Sequence, residues 1–78
     1  MTLDEAKQRF PPMWAIYDHP KDFPDCFVAR LWYGEVPSLE VMQSATLPDL
    51  IERVERTGCC VPLGRFFHDD PCIVGVWI

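Results

Sequence analysis

"CFVARLWY", residues 26–33, is the stretch whose reading decides the fold. Aromatic and β-branched side chains, set between Asp25 and Gly34, mark it as a strand. Alternation gives it two faces. Phe27, Ala29, Leu31 and Tyr33 share one, and Cys26, Val28, Arg30 and Trp32 share the other. Both faces are largely apolar, so the strand belongs inside a sheet that needs cover on two sides.

Working outward, "MWAIY" (13–17) reads as the preceding strand. Trp14 and Ile16 face one side, and Met13, Ala15 and Tyr17 the other. The connection of about eight residues suits a long hairpin. Gly34 stops the second strand, Pro37 is expected to open another turn, and "EVMQSA" (40–45) is a third, weaker strand. Then Leu47, Leu50, Ile51 and Val54 stand at i, i+3, i+4 and i+7, which predicts a helix over 47–57 with one apolar stripe. Thr46 is the expected N-cap, Pro48 is tolerable in the first turn, and Gly58 offers a left-handed stop. Asp49 and Glu52 each precede an arginine by four residues, Arg53 and Arg56. Residues 59–71 carry Pro62, Gly64 and Pro71 and read as irregular, and "CIVGVWI" (72–78) is the last strand.

At the other end, Thr2 and Glu5 form a capping-box pattern for a short helix that Pro11 and Pro12 terminate. A core that starts at Met13 is complete without it. The expected organisation is therefore an N-terminal extension, 1–12, and a single α+β domain, 13–78. That domain is a largely antiparallel sheet of about four strands with helix 47–57 on one face, in the order (α)-β-β-β-α-β. A crossover through the helix would make the last strand parallel to the third. The sheet face left bare by the helix is expected to be covered by the N-terminal helix or by another copy of the chain.

The chain has 78 residues, enough for one core. Apolar residues at 49% against 24% charged describe a folded domain rather than a disordered chain. Seven basic residues against twelve acidic ones give a formal charge of −5, without the cationic footprint that nucleic-acid binding needs. No apolar run reaches the ~20 residues of a membrane span, and the N-terminus "MTLDEAKQRF" lacks the apolar region of a signal peptide. A cytoplasmic protein is expected, with Cys26, Cys59, Cys60 and Cys72 reduced.

The chemistry-bearing motifs are few. "YDHPKDFPD" (17–25) gathers Asp18, His19, Asp22 and Asp25 on a loop stiffened by Pro20 and Pro24, and "FHDDP" (67–71) adds His68, Asp69 and Asp70. Oxygen and imidazole donors of this kind suit a divalent ion. With the last strand parallel to the third, the two clusters would lie at opposite ends of the sheet and could not meet. Aspartate and proline also simply form turns. "GCCVPLG" (58–64) matches neither paired zinc ligands nor a phosphate loop, and no serine sits on a nucleophile elbow. Trp14, Trp32 and Trp77 all fall on expected strands, more rings than a one-helix sheet can hide.

"MWAIYDHPKDFPDCFVAR" (13–30) resembles the opening of small uncharacterised bacterial proteins that share a W-x-I-Y-D-H-P-x-D-x-P-D-x-F-V-A-R start and an ending like "DDPCIVGVWI". The resemblance covers about half the chain and implies no activity. The residues point first to a non-enzymatic protein-interaction domain, self-associating as a homodimer, with Asp18, His19, Asp22, Asp25, Arg30 and Trp32 as partner-binding residues. The alternative is a small-ligand or divalent-metal protein that uses the turn 18–25. No catalytic residue, resident metal or cofactor is assigned.

Overall fold

The computed structural model describes residues 1–64 and 72–78. The hairpin expected from residues 13–33 forms its centre. β1 (Pro12–Asp18) pairs antiparallel with β2 (Phe27–Tyr33) in an unbroken register from Pro12↔Tyr33 to Asp18↔Phe27. β2 also pairs antiparallel with β3 (Val36–Ser44). The connection is only two residues long, so Pro37 lies inside β3 rather than in a second turn. Gly34 makes this possible. Its φ of 64° is open to glycine at little cost, and a Cβ there would stand 2.8 Å from the ring of Phe10.

β3 is nine residues long because it accommodates a bulge. Leu31 faces the stretch between Pro37, paired with Trp32, and Val41, paired with Arg30. Within that stretch Ser38 turns inward and its Oγ accepts the Glu40 N–H, while Leu39 is left 94% exposed. Proline, a bulge and a charged residue together blunt this outer strand against unwanted pairing.

α2 (Leu47–Arg56) follows, with its stripe as the sequence spacing predicts. Leu50 and Val54 are fully buried, and Leu47 and Ile51 are partly so. The start differs in detail. Thr46 occupies the N-cap position, but its hydroxyl makes no capping bond. Ser44 does the local work instead, accepting the Thr46 N–H at 3.2 Å and donating to Asp49 Oδ2 at 2.8 Å. Both expected i,i+4 pairs form, Asp49–Arg53 and Glu52–Arg56, and Arg53 also donates to the Gln43 carbonyl. Such exposed pairs contribute little, about 0.3–0.5 kcal/mol each, so burial of the stripe holds the helix.

The sheet has five strands rather than about four, in the order β3-β2-β1-β5-β4. The added strand is β4 (Pro62–Gly64), in the region read as irregular. Pro62 and Gly64 are breakers in a central strand, but β4 lies at the edge, where a missing N–H is harmless. Its presence corrects the direction of the last strand. The chain leaving α2 enters β4, then turns back into β5 (Ile73–Trp77), which is antiparallel to both β4 and β1. Since β1 and β3 each oppose β2, β5 is also antiparallel to β3, not parallel to it.

α1 (Leu3–Arg9) forms with Thr2 Oγ1 accepting the Glu5 N–H, as the capping pattern predicts. It contacts β2 and β3, Ala6 is fully buried, and Lys7 lies 5.8 Å over the ring of Tyr33.

The α2 side holds the main core: Trp14, Ile16, Ala29, Leu31, Leu50, Val54, Cys59 and Trp77. The opposite face, for which the N-terminal helix or another copy was the expected cover, has a smaller buried cluster of its own, Ala15, Ile73 and Val76, with Met13, Tyr17 and Trp32 packed against it, while α1 lies over Tyr33, which packs on the α2 side. Leu50→Ala should cost about 2–5 kcal/mol and Ile51→Ala clearly less, because only Leu50 is fully enclosed. Urea unfolding of both variants checks the order, and equal losses would contradict this packing.

Candidate functional site

The turn after β1 is closed by its own backbone. His19 N–H donates to the Cys26 carbonyl at 3.1 Å, Phe23 N–H to Pro20 at 2.9 Å, and Cys26 N–H to Phe23 at 3.5 Å. Two prolines fix φ within it. His19 takes a φ of 47°, the only positive φ among the described non-glycine residues. That conformation crowds Cβ against the backbone. Its Nδ1 is hydrogen-bonded to Asp18 Oδ1, and its ring meets Phe27 edge-on with centroids 5.0 Å apart. Asp18 and His19 are thus occupied with each other and with the turn.

Because β5 runs antiparallel to β1, its start lies at this same end. Asp18 N–H donates to the Cys72 carbonyl at 2.7 Å. The topological reason for keeping the turn apart from the segment before the last strand is therefore removed. His68, Asp69 and Asp70 lie outside the described residues.

Beneath the turn is a hollow of about 320 Å³. The sheet supplies Tyr17, Val28 and Arg30; the turn supplies Pro20, Lys21, Asp22 and Phe23; Cys72 closes it at the start of β5. The register explains the sheet's share. Tyr17 is paired with Val28 and Ala15 with Arg30, so these side chains emerge on one face, the one opposite α2. Ala15 puts only a methyl opposite Arg30. Among the described residues neither Lys21 nor Arg30 forms an ion pair, since the salt bridges are His19–Asp18, Arg53–Asp49 and Arg56–Glu52. Among the described residues the lining holds two cations and one carboxylate, in a chain of net charge −5. A second hollow, of about 280 Å³, lies between Met1, Phe10 and the 34–36 hairpin, and Glu35 is its only charged side chain.

Of the six residues nominated from sequence, Asp22 and Arg30 come together in the first hollow. Asp25 is exposed on the turn. Trp32 shares the face of Arg30 but pairs with Met13 further along, outside the hollow. Its indole Nε1 is enclosed without an acceptor. Among the described residues no three His, Cys, Asp or Glu side chains gather as metal donors. Tyr17, Lys21, Val28 and Cys72 were not nominated. Counting the hairpin register places Tyr17, Val28 and Arg30 on one face, and Lys21 adjoins Asp22. Cys72 carried no signal, because its position depends on the direction of β5.

Cys59 and Cys60 make local contacts next to the end of α2. Cys59 is buried in the main core with its Sγ 3.7 Å from the Pro12 carbonyl, and the exposed Cys60 thiol lies 3.3 Å from the Glu55 carbonyl. Among the described residues no helix is long and apolar enough to cross a membrane. No protein-family model, curated protein or solved structure matches the chain.

The backbone at His19 sets a test of the turn. His19→Val should be less stable than His19→Gly by about 1–2 kcal/mol, since a β-branched side chain tolerates positive φ poorly and glycine tolerates it well. Urea unfolding of the two variants measures the difference. Equal stability would mean that residue 19 does not hold this conformation.

Proposed function

We propose that this chain is a non-enzymatic binding domain that recognises its ligand or partner with the turn of residues 19–26 and the hollow beneath it. The observation that carries this reading is the meeting of Lys21 and Arg30, both without ion-pair partners among the described residues, in a hollow walled by Phe23 and Val28. Polar groups converging in a concave, partly apolar space are the usual mark of a ligand site. The turn is cross-bonded and proline-stiffened, so it loses little freedom when it meets a partner, which favours recognition. Among the described residues, Asp18 and His19 are paired with each other and neither lines the hollow.

A screen of small acidic, basic and neutral fragments by ¹H–¹⁵N NMR tests this. Hits should move the amides of residues 17–30 and Cys72. Hits that map elsewhere, or none at all, would contradict it.

Self-association is a second reading, and one patch favours it. Val61, Leu63 and Ile78 are exposed together at the β4 edge, where Val61 and Ile78 exchange backbone hydrogen bonds. β4 is three residues long and its outer edge is unpaired in the sheet order. An edge strand that pairs with its own copy makes a two-fold contact. Sedimentation should then show the mass doubling from micromolar to submillimolar concentration, with Val61→Glu restoring the monomer. A monomer throughout that range would rule out this contact.

A further inference from the structure

We infer that the hollow is a site for a small organic carboxylate, held by its charged end on Arg30 and Lys21 with its apolar body against Pro20 and Phe23. The inference rests on the reading of this hollow as a binding site and names the ligand class.

The charge argument comes first. Among the described lining residues Arg30 and Lys21 outnumber Asp22, a set that favours one negative charge over none or two. The guanidinium of Arg30 presents a planar fork that matches a carboxylate with two parallel hydrogen bonds. It rises from the central region of β2, opposite Ala15 in the register. Lys21 approaches from the turn as a point charge on a flexible stem.

Size and surface narrow the class. The volume of about 320 Å³ lies at the low end of ligand pockets. It suits a single-ring or short-chain acid. Pro20 and Phe23 offer an inorganic anion nothing but desolvation, whereas they give an organic acid a half-exposed apolar surface to bury. Asp22 opposes a second negative charge, which disfavours the phosphate dianion further.

The experiment is NMR titration of the full chain with sodium benzoate, with its neutral amide benzamide, and with inorganic phosphate. Benzoate should shift the amides around Tyr17, Lys21 and Arg30 saturably, and binding should weaken as salt is added. Benzamide should bind about tenfold more weakly, since it loses the charge-assisted pair. Arg30→Gln and Lys21→Gln should each weaken benzoate by about three- to tenfold, less than a buried pair because the site is open to water. Asp22→Asn should tighten it. Arg30 has no ion pair to lose among the described residues, so thermal unfolding of Arg30→Gln should match that of the unaltered chain; if that variant unfolds, Lys21→Gln on the exposed turn decides.

Benzamide binding as tightly as benzoate would overturn the carboxylate assignment and leave the hollow a neutral-ligand site. Phosphate saturating the same amides as tightly as benzoate would overturn the organic part. If none of the three probes reaches these residues while other fragments do, this inference fails and the binding-domain reading stands. If no fragment of any kind does, both fail.

Discussion

β1 is the constraint on which the rest of the structure depends. It is third of five strands, bonded on both sides, and Trp14, Ala15 and Ile16 are all buried in succession. Burial of consecutive residues means that both faces of this strand are enclosed. One face supplies Trp14 and Ile16 to the core under α2, and the other supplies Ala15 to the second cluster. Trp14 also fastens the far end of α2, since its indole N–H donates to Thr57 Oγ1 at 3.1 Å while the same hydroxyl donates to the Val54 carbonyl. A tryptophan buried with its N–H satisfied in this way positions a helix end as well as filling space.

The position of the hollow follows from β1. At its end the strand delivers Tyr17 to one face and Asp18 to the turn, and the Asp18 amide is bonded to Cys72 as β5 begins. Two antiparallel partners therefore bring three separate parts of the chain to one corner. A parallel β5 would have started at the other end and left the turn isolated. The corner is also where the chain departs from easy backbone geometry, at His19. Departures of this kind persist only where surrounding structure holds them, here the Cys26 carbonyl bond and the Phe27 ring.

Most of the fold was legible because local pattern and tertiary structure agree in the hairpin and in α2. The alternation in 26–33 and the stripe at 47, 50, 51 and 54 describe the buried faces correctly. What was not legible has one main cause. A three-residue edge strand flanked by proline and glycine carries too little periodicity to be told from a loop, and missing it reversed β5. The length of β3 was hidden for a related reason, since a proline on an outer strand reads as a turn. At the candidate site, Asp22 and Arg30 were nominated for their charge alone. Their company in the hollow required the register, and Cys72 required the direction of β5.

Native-state hydrogen exchange tests the central claim most directly. If β1 is bonded on both sides at the middle of the sheet, the amides of residues 14–17 exchange only through global unfolding, and the Asp18 amide is protected well above the exposed turn amides that follow it. The amides of β4 exchange much faster by local opening. Residues 14–17 exchanging as fast as β4, or an Asp18 amide as unprotected as that of Asp22, would contradict a central β1 and the corner built on it.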